Sequence, residues 1–225
     1  DDMELEKVLM RELIQRSIDG MIIAPSNNIK DLIPILLETH IPVVFTDRPG
    51  DENADYVGLD NKGEGGKLID LFSVKPNRVV ALVPSPSNVS TIQDRIEGTK
   101  EACEKARIDF GYLDLSDDQK KIDQQIAIEL KNGTDSFVAL NNRCTLPTLS
   151  ALNKAGVKIP DEVRLISFDD NEAFEYMKPP ISAFRQPILD IALQSVDRLY
   201  SRLKESKTPG KHFILPCEFI ERGSH

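Results

Sequence analysis

The chain has 225 residues, which is long enough for one large domain or two smaller ones. Its composition of 40% hydrophobic and 29% charged residues is typical of globular proteins and excludes fibrous, collagen-like and disordered classes. The 37 acidic residues outnumber the 28 basic ones and leave a net charge of −9, so this chain by itself is a poor partner for nucleic acid or anionic lipid.

Cysteine, histidine and hydropathy patterns set further limits. Cys103, Cys144 and Cys217 are scattered along the chain without metal-like spacing, and none is in register with one of the three histidines. No apolar run reaches the roughly 18 residues that a membrane span requires, and no basic-then-apolar leader is found at the start. The sequence therefore predicts a cytoplasmic globular protein that uses no metal, no cofactor and no membrane.

Short apolar runs alternate with amphipathic segments through the whole chain. The chain begins with Asp1 and Asp2 and a helical stripe that we expect to be buried, formed by Leu5, Val8, Leu9 and Leu13. After a break at 19–20, a short, fully buried strand is predicted at 21–24, with a turn at 25–28. The further predicted helices cover 29–39, a segment through 65–71, 90–106, 119–130, 146–155 and 188–203. The further predicted strands cover 42–46, 56–57, 79–83, 110–113, 137–140, 163–168, 182–185 and 213–220.

This alternation predicts βαβ units and parallel sheets that are covered on both faces. The units are too few and too irregular for an eight-fold barrel. The sequence therefore predicts a doubly wound α/β protein.

Polar side chains follow the predicted strands, and ligands of open parallel sheets bind at the carboxyl ends of strands. The strand-end segments are 24–26, 46–48, 83–85, 140–142 and 168–170. Their carboxylate, amide and guanidinium groups suit a polyhydroxylated ligand, because adjacent hydroxyls can both donate and accept hydrogen bonds.

Catalytic alternatives fit less well. The sequence contains no G-x-S-x-G elbow, no P-loop and no G-x-G-x-x-G, and the glycines at 63, 65 and 66 have the wrong spacing. Cys144 follows a strand but has no nearby histidine, so we interpret it as a buried structural residue. Asp169 and Asp170 lack the D-x-D-x-D pattern of a cation site. We therefore do not predict an enzyme.

The order and spacing of several motifs resemble the lactose-repressor (LacI/GalR-type) transcriptional regulators. The matching segments are D-G-M-I-I-A-P-S at 19–26, I-P-V-V-F-T-D-R at 41–48, V-G-L-D-N at 57–61 with glycines at 65–66, R-I-E-G at 95–98, L-N-N at 140–142, I-S-F-D-D at 166–170, P-P-I-S at 179–182, R-Q-P at 185–187 and the tail L-P-C-E-F-I-E-R-G-S at 215–224. The resemblance covers essentially the whole chain. Asn142 departs from it, since the family has Asp there.

The resemblance implies an effector-binding core similar to periplasmic sugar-binding proteins, with two doubly wound lobes joined by three crossovers and a ligand in the cleft. The N-terminal lobe would comprise 1–57 and 186–213, and the C-terminal lobe 58–185 and 214–225. The chain starts where the family is already in its second helix of this lobe, so the first lobe is expected to lack its first βαβ unit. We therefore expect the chain to be a piece of a longer polypeptide whose helix-turn-helix headpiece binds operator DNA.

The resemblance also implies the ligand-binding residues, namely Ser26, Asp47, Arg48, Tyr56, Arg95, Asn141, Asp169 and Gln186. Simpler structural roles remain open for several of them. Arg95 could pair with Asp94 on its own helix, Asp169 could cap the loop after its strand, and Asn141 could occupy a left-handed conformation. Asp47 could serve only the turn before 49–50, and Asp60 is expected to cap a helix.

Partners and rival functions follow from the same comparison. We expect a small-molecule effector, with a sugar as first choice and a carboxylate or phosphate held by two arginines as alternative, and a homodimer with two-fold symmetry. The first rival function is a periplasmic sugar-binding protein of a transporter. The second is an α/β enzyme, which would need a base–nucleophile pair or a metal cluster at the strand ends.

Overall fold

The computed structural model describes residues 3–26, 32–51, 53–85, 88–204 and 209–225. The predicted acidic start at Asp1 and Asp2, the turn residues Asn27 and Asn28 and the predicted helix start at Ile29 lie outside these ranges.

Helices and strands alternate along the described residues as the sequence predicts. The helices are α1 (Met3–Gln15), α2 (Ile33–Thr39), α3 (Asn61–Lys67), α4 (Ser90–Ala106), α5 (Gln119–Lys131), α6 (Thr145–Ala155) and α7 (Ile188–Lys204), with 3-10 turns at Leu68–Leu71, Asn142–Cys144 and Glu172–Tyr176. The strands are β1 (Met21–Ile23), β2 (Val43–Thr46), β3 (Asp55–Gly58), β4 (Arg78–Pro84), β5 (Asp109–Leu115), β6 (Ser136–Ala139), β7 (Arg164–Phe168), β8 (Ser182–Arg185), β9 (His212–Ile214) and β10 (Glu218–Ile220).

The chain forms two compact units. The first comprises Asp1–Asp60 and Pro187–Pro216, and the second comprises Asn61–Gln186 and Cys217–His225. The polypeptide therefore passes from one unit to the other three times.

The first unit is built on a four-stranded sheet in the order β1-β2-β3-β9, in which all neighbours are parallel. Its core contains residues from α1, α2 and the strands, including Met10, Leu36 and Phe45. On α7, Arg198 is buried and its Nε donates to Asp55 Oδ1 over 2.6 Å. Burial opposes the ionisation of Asp55, but hydrogen bonds from Arg202 and Arg198 outweigh it and lower the pKa of this carboxyl.

Two burial predictions for the first unit are wrong. The stripe of α1 at Leu5, Val8, Leu9 and Leu13 is exposed by 41–53%, while Met10 of the same helix is buried in the core and Ile14 packs against it. The helical spacing of the apolar residues is correct, but this spacing does not determine which face of the helix packs against the sheet. In β1, Ile22 is 40% exposed, because β1 is an edge strand and not a fully buried one.

The exposed face of α7 is also apolar. Leu189, Leu193, Val196, Tyr200 and Leu203 follow the 4-3-4-3 spacing of a helix stripe, and each is exposed by 47–70%.

The second unit contains a six-stranded sheet in the order β10-β8-β7-β6-β4-β5. All pairs are parallel except β10 with β8. The chain runs from β4 outward to β5 and then returns to β6 on the other side of β4, so the strand order reverses between β4 and β6. The predicted doubly wound α/β class is therefore confirmed, and ligands of such sheets bind at this reversal.

Both faces of the second sheet are buried, as its apolar runs predict. Val79, Val80, Ala81, Leu82 and Val83 are all fully inaccessible, and alternate residues along a strand point to opposite faces. One face packs against α5 and α6.

The predicted closing strand at 213–220 is wrong. Residues of this segment form β9, which pairs with β3 in the first unit, and β10, which pairs with β8 in the second. The interruption lies at 215–217, where the chain passes between the units. A continuous apolar pattern cannot reveal such a change of sheet.

Helices α3 and α4 approach each other through glycines. A Cβ atom on Gly98 would lie 1.8 Å from the carbonyl oxygen of Lys62, and one on Gly65 would lie 2.6 Å from that of Arg95. No side chain fits these positions without separating the helices. This explains the R-x-x-G and G-G motifs, because the glycine of the first places the arginine of α4 close to α3.

None of the helices within the described ranges is both long and apolar enough to span a bilayer.

The helix contact yields a first prediction, which compares two glycines that both lie inside helices. Gly98→Ala should lower the free energy of unfolding by about 1–3 kcal/mol, because its methyl group overpacks the α3–α4 contact. Gly66→Ala should cost clearly less, because its Cβ would lie 3.3 Å from the Gly98 carbonyl oxygen, a much smaller overlap, and the helix propensity of alanine offsets part of it. Urea unfolding of both variants measures the difference, and equal effects would contradict the packing argument.

Candidate functional site

The candidate site of the second unit lies at the carboxyl ends of β6 and β7, beside the reversal of strand order. Asn141 follows β6, Asp169 follows β7, and Gln186 follows β8. The helix that leads away from β4 carries Arg95. Because these strands are parallel and adjacent, their carboxyl ends share one edge of the sheet.

Arg95 is buried, with 3% of its surface exposed, and its guanidinium is held from several directions. Its Nε donates to Asn61 Oδ1 over 2.9 Å, and its Nη1 donates to the carbonyl oxygen of Leu140 over 2.9 Å. Its Cζ lies 3.7 Å from the centroid of the buried Phe168 ring, which is a cation–π contact. Nη1 also lies 3.6 Å from Asp169 Oδ2.

Asp169 is the centre of a polar cluster. Asn141 Nδ2 donates to its Oδ2 over 3.1 Å, and Gln186 Nε2 donates to its Oδ1. The Asp169 side chain remains 18% exposed. The structure therefore brings four of the predicted residues, Arg95, Asn141, Asp169 and Gln186, into one connected group.

Two of the simpler roles do not describe these residues fully. Asn141 has an extended backbone with φ −154°, so the left-handed alternative is wrong, and its Oδ1 accepts from the amide of Arg143. Arg95 contacts Asn61, Leu140 and Asp169 on elements other than its own helix, so a pairing with Asp94 would not be its whole role.

The remaining four predicted residues lie in the first unit, with Ser26, Asp47 and Arg48 at the carboxyl ends of β1 and β2 and Tyr56 within β3. Arg48 Nη1 donates to the carbonyl oxygen of Pro25 over 3.0 Å, and its Nε lies 3.5 Å from Asp47 Oδ2. The backbone amide of Ser26 donates to both carboxylate oxygens of Glu6 over 3.1 Å each. The Ser26 hydroxyl is buried and has no hydrogen-bond partner among the described residues.

Tyr56 lies in the core of the first unit and supports the backbone at the carboxyl end of β2. Its hydroxyl donates to the carbonyl oxygen of Asp47 over 3.1 Å, and only 4% of the residue is exposed. Its ring contacts that of His212 edge-on at 5.6 Å between centroids. Within this unit, Tyr56 therefore supports the backbone of Asp47.

Asp47 and Asp169 share an uncommon backbone conformation. Both have positive φ, of 62° and 71°, and both directly follow a buried parallel strand. A non-glycine residue is rare in this region, and such strain concentrates at binding sites. Each of the two carboxylates is also within 3.6 Å of a guanidinium nitrogen in its own unit.

Asp170, the next residue, has a structural role. Arg222 Nη1 and Arg185 Nη2 each approach its carboxylate to 2.8 Å, and its side chain is 5% exposed. Burial opposes its ionisation, but the hydrogen bonds from Arg222 and Arg185 outweigh burial and lower the pKa of Asp170. The ion pair with Arg222 attaches the segment after β10 to the end of β7, and the ion pair with Arg185 attaches the end of β8.

The thiols are poor nucleophiles. Burial raises the pKa of Cys103, Cys144 and Cys217 to about 12, so all three are protonated at neutral pH. Within the described part of the chain, no group of three His, Cys, Asp or Glu side chains is placed to hold a metal ion.

Three contributors escaped the sequence analysis. Asn61 anchors Arg95, the ring of Phe168 supports the guanidinium, and Glu6 accepts from the amide of Ser26. Asn61 lies in the V-G-L-D-N segment at 57–61, but a role in this segment was expected only for its neighbour Asp60, as a helix cap. Phe168 lies in the I-S-F-D-D segment at 166–170 but was expected only to be a strand residue, and Glu6 lies in no motif.

Comparison with known proteins supports the same architecture. The profile of the periplasmic binding protein-like domain matches residues 71–225. A probable opine utilization operon repressor of Rhizobium rhizogenes is 30% identical over 179 residues, covering 74% of this chain and 90% of that protein. The HTH-type transcriptional repressor PurR of Aliivibrio fischeri (strain MJ11) is 24% identical over 233 residues, covering 99% of this chain and 69% of the repressor.

A solved structure is similar over nearly the same range. The crystal structure of a LacI family transcriptional regulator from Enterococcus faecium, with bound ribose, superposes with a TM-score of 0.81 at 26% identity. The match covers 95% of this chain and 82% of that one.

The Asp170 ion pairs lead to a prediction of pH dependence. A carboxyl whose pKa is lowered by folding stabilises the folded state above its ordinary pKa near 4, and this contribution is lost as the pH falls through the lowered value. Asp170→Asn should therefore unfold more easily at pH 7 by about 2–3 kcal/mol. Its deficit relative to the parent chain should shrink below about pH 4.

Chemical denaturation between pH 3 and pH 7 measures this deficit. Asp117→Asn is the matched control, because the side chain of Asp117 is 94% exposed and its one ion pair, with Arg143, is 3.4 Å long. A deficit of Asp170→Asn that stays constant across this pH range would show that its carboxylate charge does not stabilise the fold.

Proposed function

This chain belongs to the periplasmic binding protein-like family of LacI-type regulators, and from that premise we propose that it senses a small polar effector, a sugar or sugar derivative, for such a regulator. Its relatives are transcriptional regulators. The proposal assigns this chain the binding of the effector and assigns operator binding to a helix-turn-helix headpiece outside the 225 residues.

The observation that carries the proposal is the cluster around Asp169. A carboxylate in a left-handed strand-end conformation is held by two amides and lies beside a buried guanidinium, at the edge of the sheet where the strand order reverses. Nothing in this cluster resembles a nucleophile with its base. Preformed, partly exposed hydrogen-bonding groups of this kind suit binding without chemistry.

A hydroxyl-rich ligand fits the donors and acceptors of both units. Asp47 and Asp169 can each accept from ligand hydroxyls, while arginine and amide nitrogens donate to hydroxyl or ring oxygens. The enterococcal regulator was solved with ribose, which supports the sugar class for this chain as well. We propose that Ser26, Asp47 and Arg48 supply the contacts of one lobe, with Tyr56 supporting Asp47 from the core, and that Arg95, Asn141, Asp169 and Gln186 supply those of the other.

The two compact units are the proposed lobes, and the effector is proposed to bridge them. A ligand shifts a conformational equilibrium only by its differential affinity for the two states. Bridging contacts would provide this difference and favour one lobe orientation, with a coupling free energy of about 1–3 kcal/mol. In a homodimer this orientation would set the spacing of the paired headpieces. A transcriptional regulator acts on the chromosome, so we place it in the cytoplasm.

Ligand binding tests the proposal directly. Isothermal titration with D-ribose, D-ribose 5-phosphate and hypoxanthine should show that a sugar or sugar phosphate binds. Asp169→Asn, which keeps the shape of the side chain and removes its charge, should weaken that binding by at least about tenfold, because hydrogen bonds to charged groups contribute more than neutral ones.

The matched control is Asp161→Asn, since Asp161 is exposed and precedes β7 at the opposite edge of the sheet. It should bind like the parent chain. Binding of hypoxanthine alone, or of none of the three probes, would count against the sugar class. Equal affinities of both variants would remove Asp169 from the site.

The coding sequence upstream of this chain distinguishes a transcriptional regulator from the rival function, a periplasmic sugar-binding protein. A helix-turn-helix there supports sensing for transcription, whereas a secretory leader would support a periplasmic sugar carrier.

A further inference from the structure

At two of the three passages between the units, the residue on the side of the second unit contacts the candidate site. Asn61 is the first residue after the first passage, and it accepts from Arg95 Nε. Gln186 is the last residue before the second passage, and it donates to Asp169. Arg95 and Asp169 are therefore hydrogen-bonded to the residues at which the chain enters and leaves the second unit.

The orientation of Arg95 depends on Asn61. Stacking on Phe168 fixes the plane of the guanidinium, and the bond from Nη1 to the Leu140 carbonyl fixes one end of it. The bond from Nε to Asn61 Oδ1 fixes the other end. Asn61 is 5% exposed, so no solvent molecule replaces its oxygen without entering a packed region.

The backbone around Asn61 is itself held in place. The residue begins α3, and Gly65 of this helix packs directly on the backbone of Arg95. The hydroxyl of Thr99, one turn further along α4, lies 3.0 Å from the carbonyl oxygen of Gly65. The acceptor for Arg95 Nε thus comes from a helix end in direct contact with the helix that carries Arg95.

We propose that Asn61 is a positioning residue for the effector, which holds the Arg95 guanidinium in its binding orientation and ties it to the first passage between the units. The role in binding rests on the proposed function, because it requires that Arg95 contacts the effector. The positioning itself is a property of the protein without ligand.

Removal of the Asn61 oxygen changes what the guanidinium can do. Nε–H loses the Asn61 oxygen in a buried environment, and the Asp169 carboxylate already lies 3.6 Å from Nη1. The guanidinium of an Asn61→Ala chain should turn toward Asp169. The donor and the acceptor then satisfy each other and are less available to a ligand.

The first experiment needs no ligand. In ¹⁵N–¹H spectra of the whole chain, the Arg95 Nε–Hε signal is identified by its absence in Arg95→Lys. We expect slow exchange of this proton with water in the parent chain and at least about tenfold faster exchange in Asn61→Ala. Asn61→Asp should keep exchange slow, because its carboxylate oxygen still accepts from Nε.

The matched control is Asn77→Ala. Asn77 also uses its side chain to hold a partner, Asp135, but it lies before β4 at the opposite edge of the sheet. This variant should leave the Arg95 signal unchanged. An Arg95 proton that exchanges equally fast in the parent chain and in Asn61→Ala would overturn the proposal, whatever the two chains bind.

Titration with D-ribose then tests the consequence for binding. Asn61→Ala should weaken binding by about tenfold, and Asn61→Asp by less than about threefold. In the background Arg95→Met, the additional change Asn61→Ala should cause no further loss, because a positioning residue acts only through Arg95.

The outcomes separate the two proposals. If D-ribose binds and Arg95→Met weakens it, while Asn61→Ala binds like the parent chain, the inference about Asn61 is wrong and the proposed function stands. If D-ribose does not bind but Arg95 exchange responds to Asn61 as expected, positioning by Asn61 stands and the ribose assignment is wrong. A further loss from Asn61→Ala in the Arg95→Met background would show a role independent of Arg95.

Discussion

The burial of one guanidinium determines how the second unit is assembled around its candidate site. A charge removed from water must find acceptors in the protein, and an unpaired one costs several kcal/mol. Arg95 meets this requirement with a side-chain oxygen from the start of α3, a carbonyl oxygen from the end of β6 and an aromatic face from β7. These elements must therefore meet at Arg95, and the glycine contact between α3 and α4 makes the approach possible.

The two adjacent aspartates at the end of β7 have different roles, although their residue type is the same. Asp170 is enclosed by Arg222 and Arg185 and holds the fold together, whereas Asp169 turns through a left-handed backbone to a partly exposed position. The first unit repeats the second of these arrangements at Asp47. Each unit thus carries a strand-end aspartate with positive φ beside a guanidinium of the same unit, and the local geometry of each is complete within that unit.

Much of this architecture could be predicted from the sequence. The apolar runs located the strands, since both faces of the second sheet are buried. The strand-end rule gave the segments 140–142 and 168–170, from which the resemblance singled out Asn141 and Asp169. Arg95 came from the R-x-x-G motif of the resemblance, because no periodicity distinguishes a buried arginine from an exposed one. Asn61 lies in the V-G-L-D-N segment, but its role could not be predicted, because only the tertiary contact between α3 and α4 determines which side chain accepts from Arg95.

The errors have a common physical origin. Amphipathicity shows that a segment has an apolar side but not which neighbour covers it, so the stripe of α1 was assigned to the core although Met10 enters it. The closing segment at 213–220 reads as one strand because β9 and β10 have the same polarity pattern. Only tertiary pairing divides it between two sheets.

The uncovered apolar stripes of α1 and α7, together with the edge strand β1, have a consequence for handling the molecule. All three belong to the first unit, so its surface is the more prone to non-specific association. An unpaired strand edge is also a template for pairing with other chains. Concentrated samples should therefore associate through this half. Dilute solutions and chemical denaturants are the conditions under which the energetics of the individual chain become accessible.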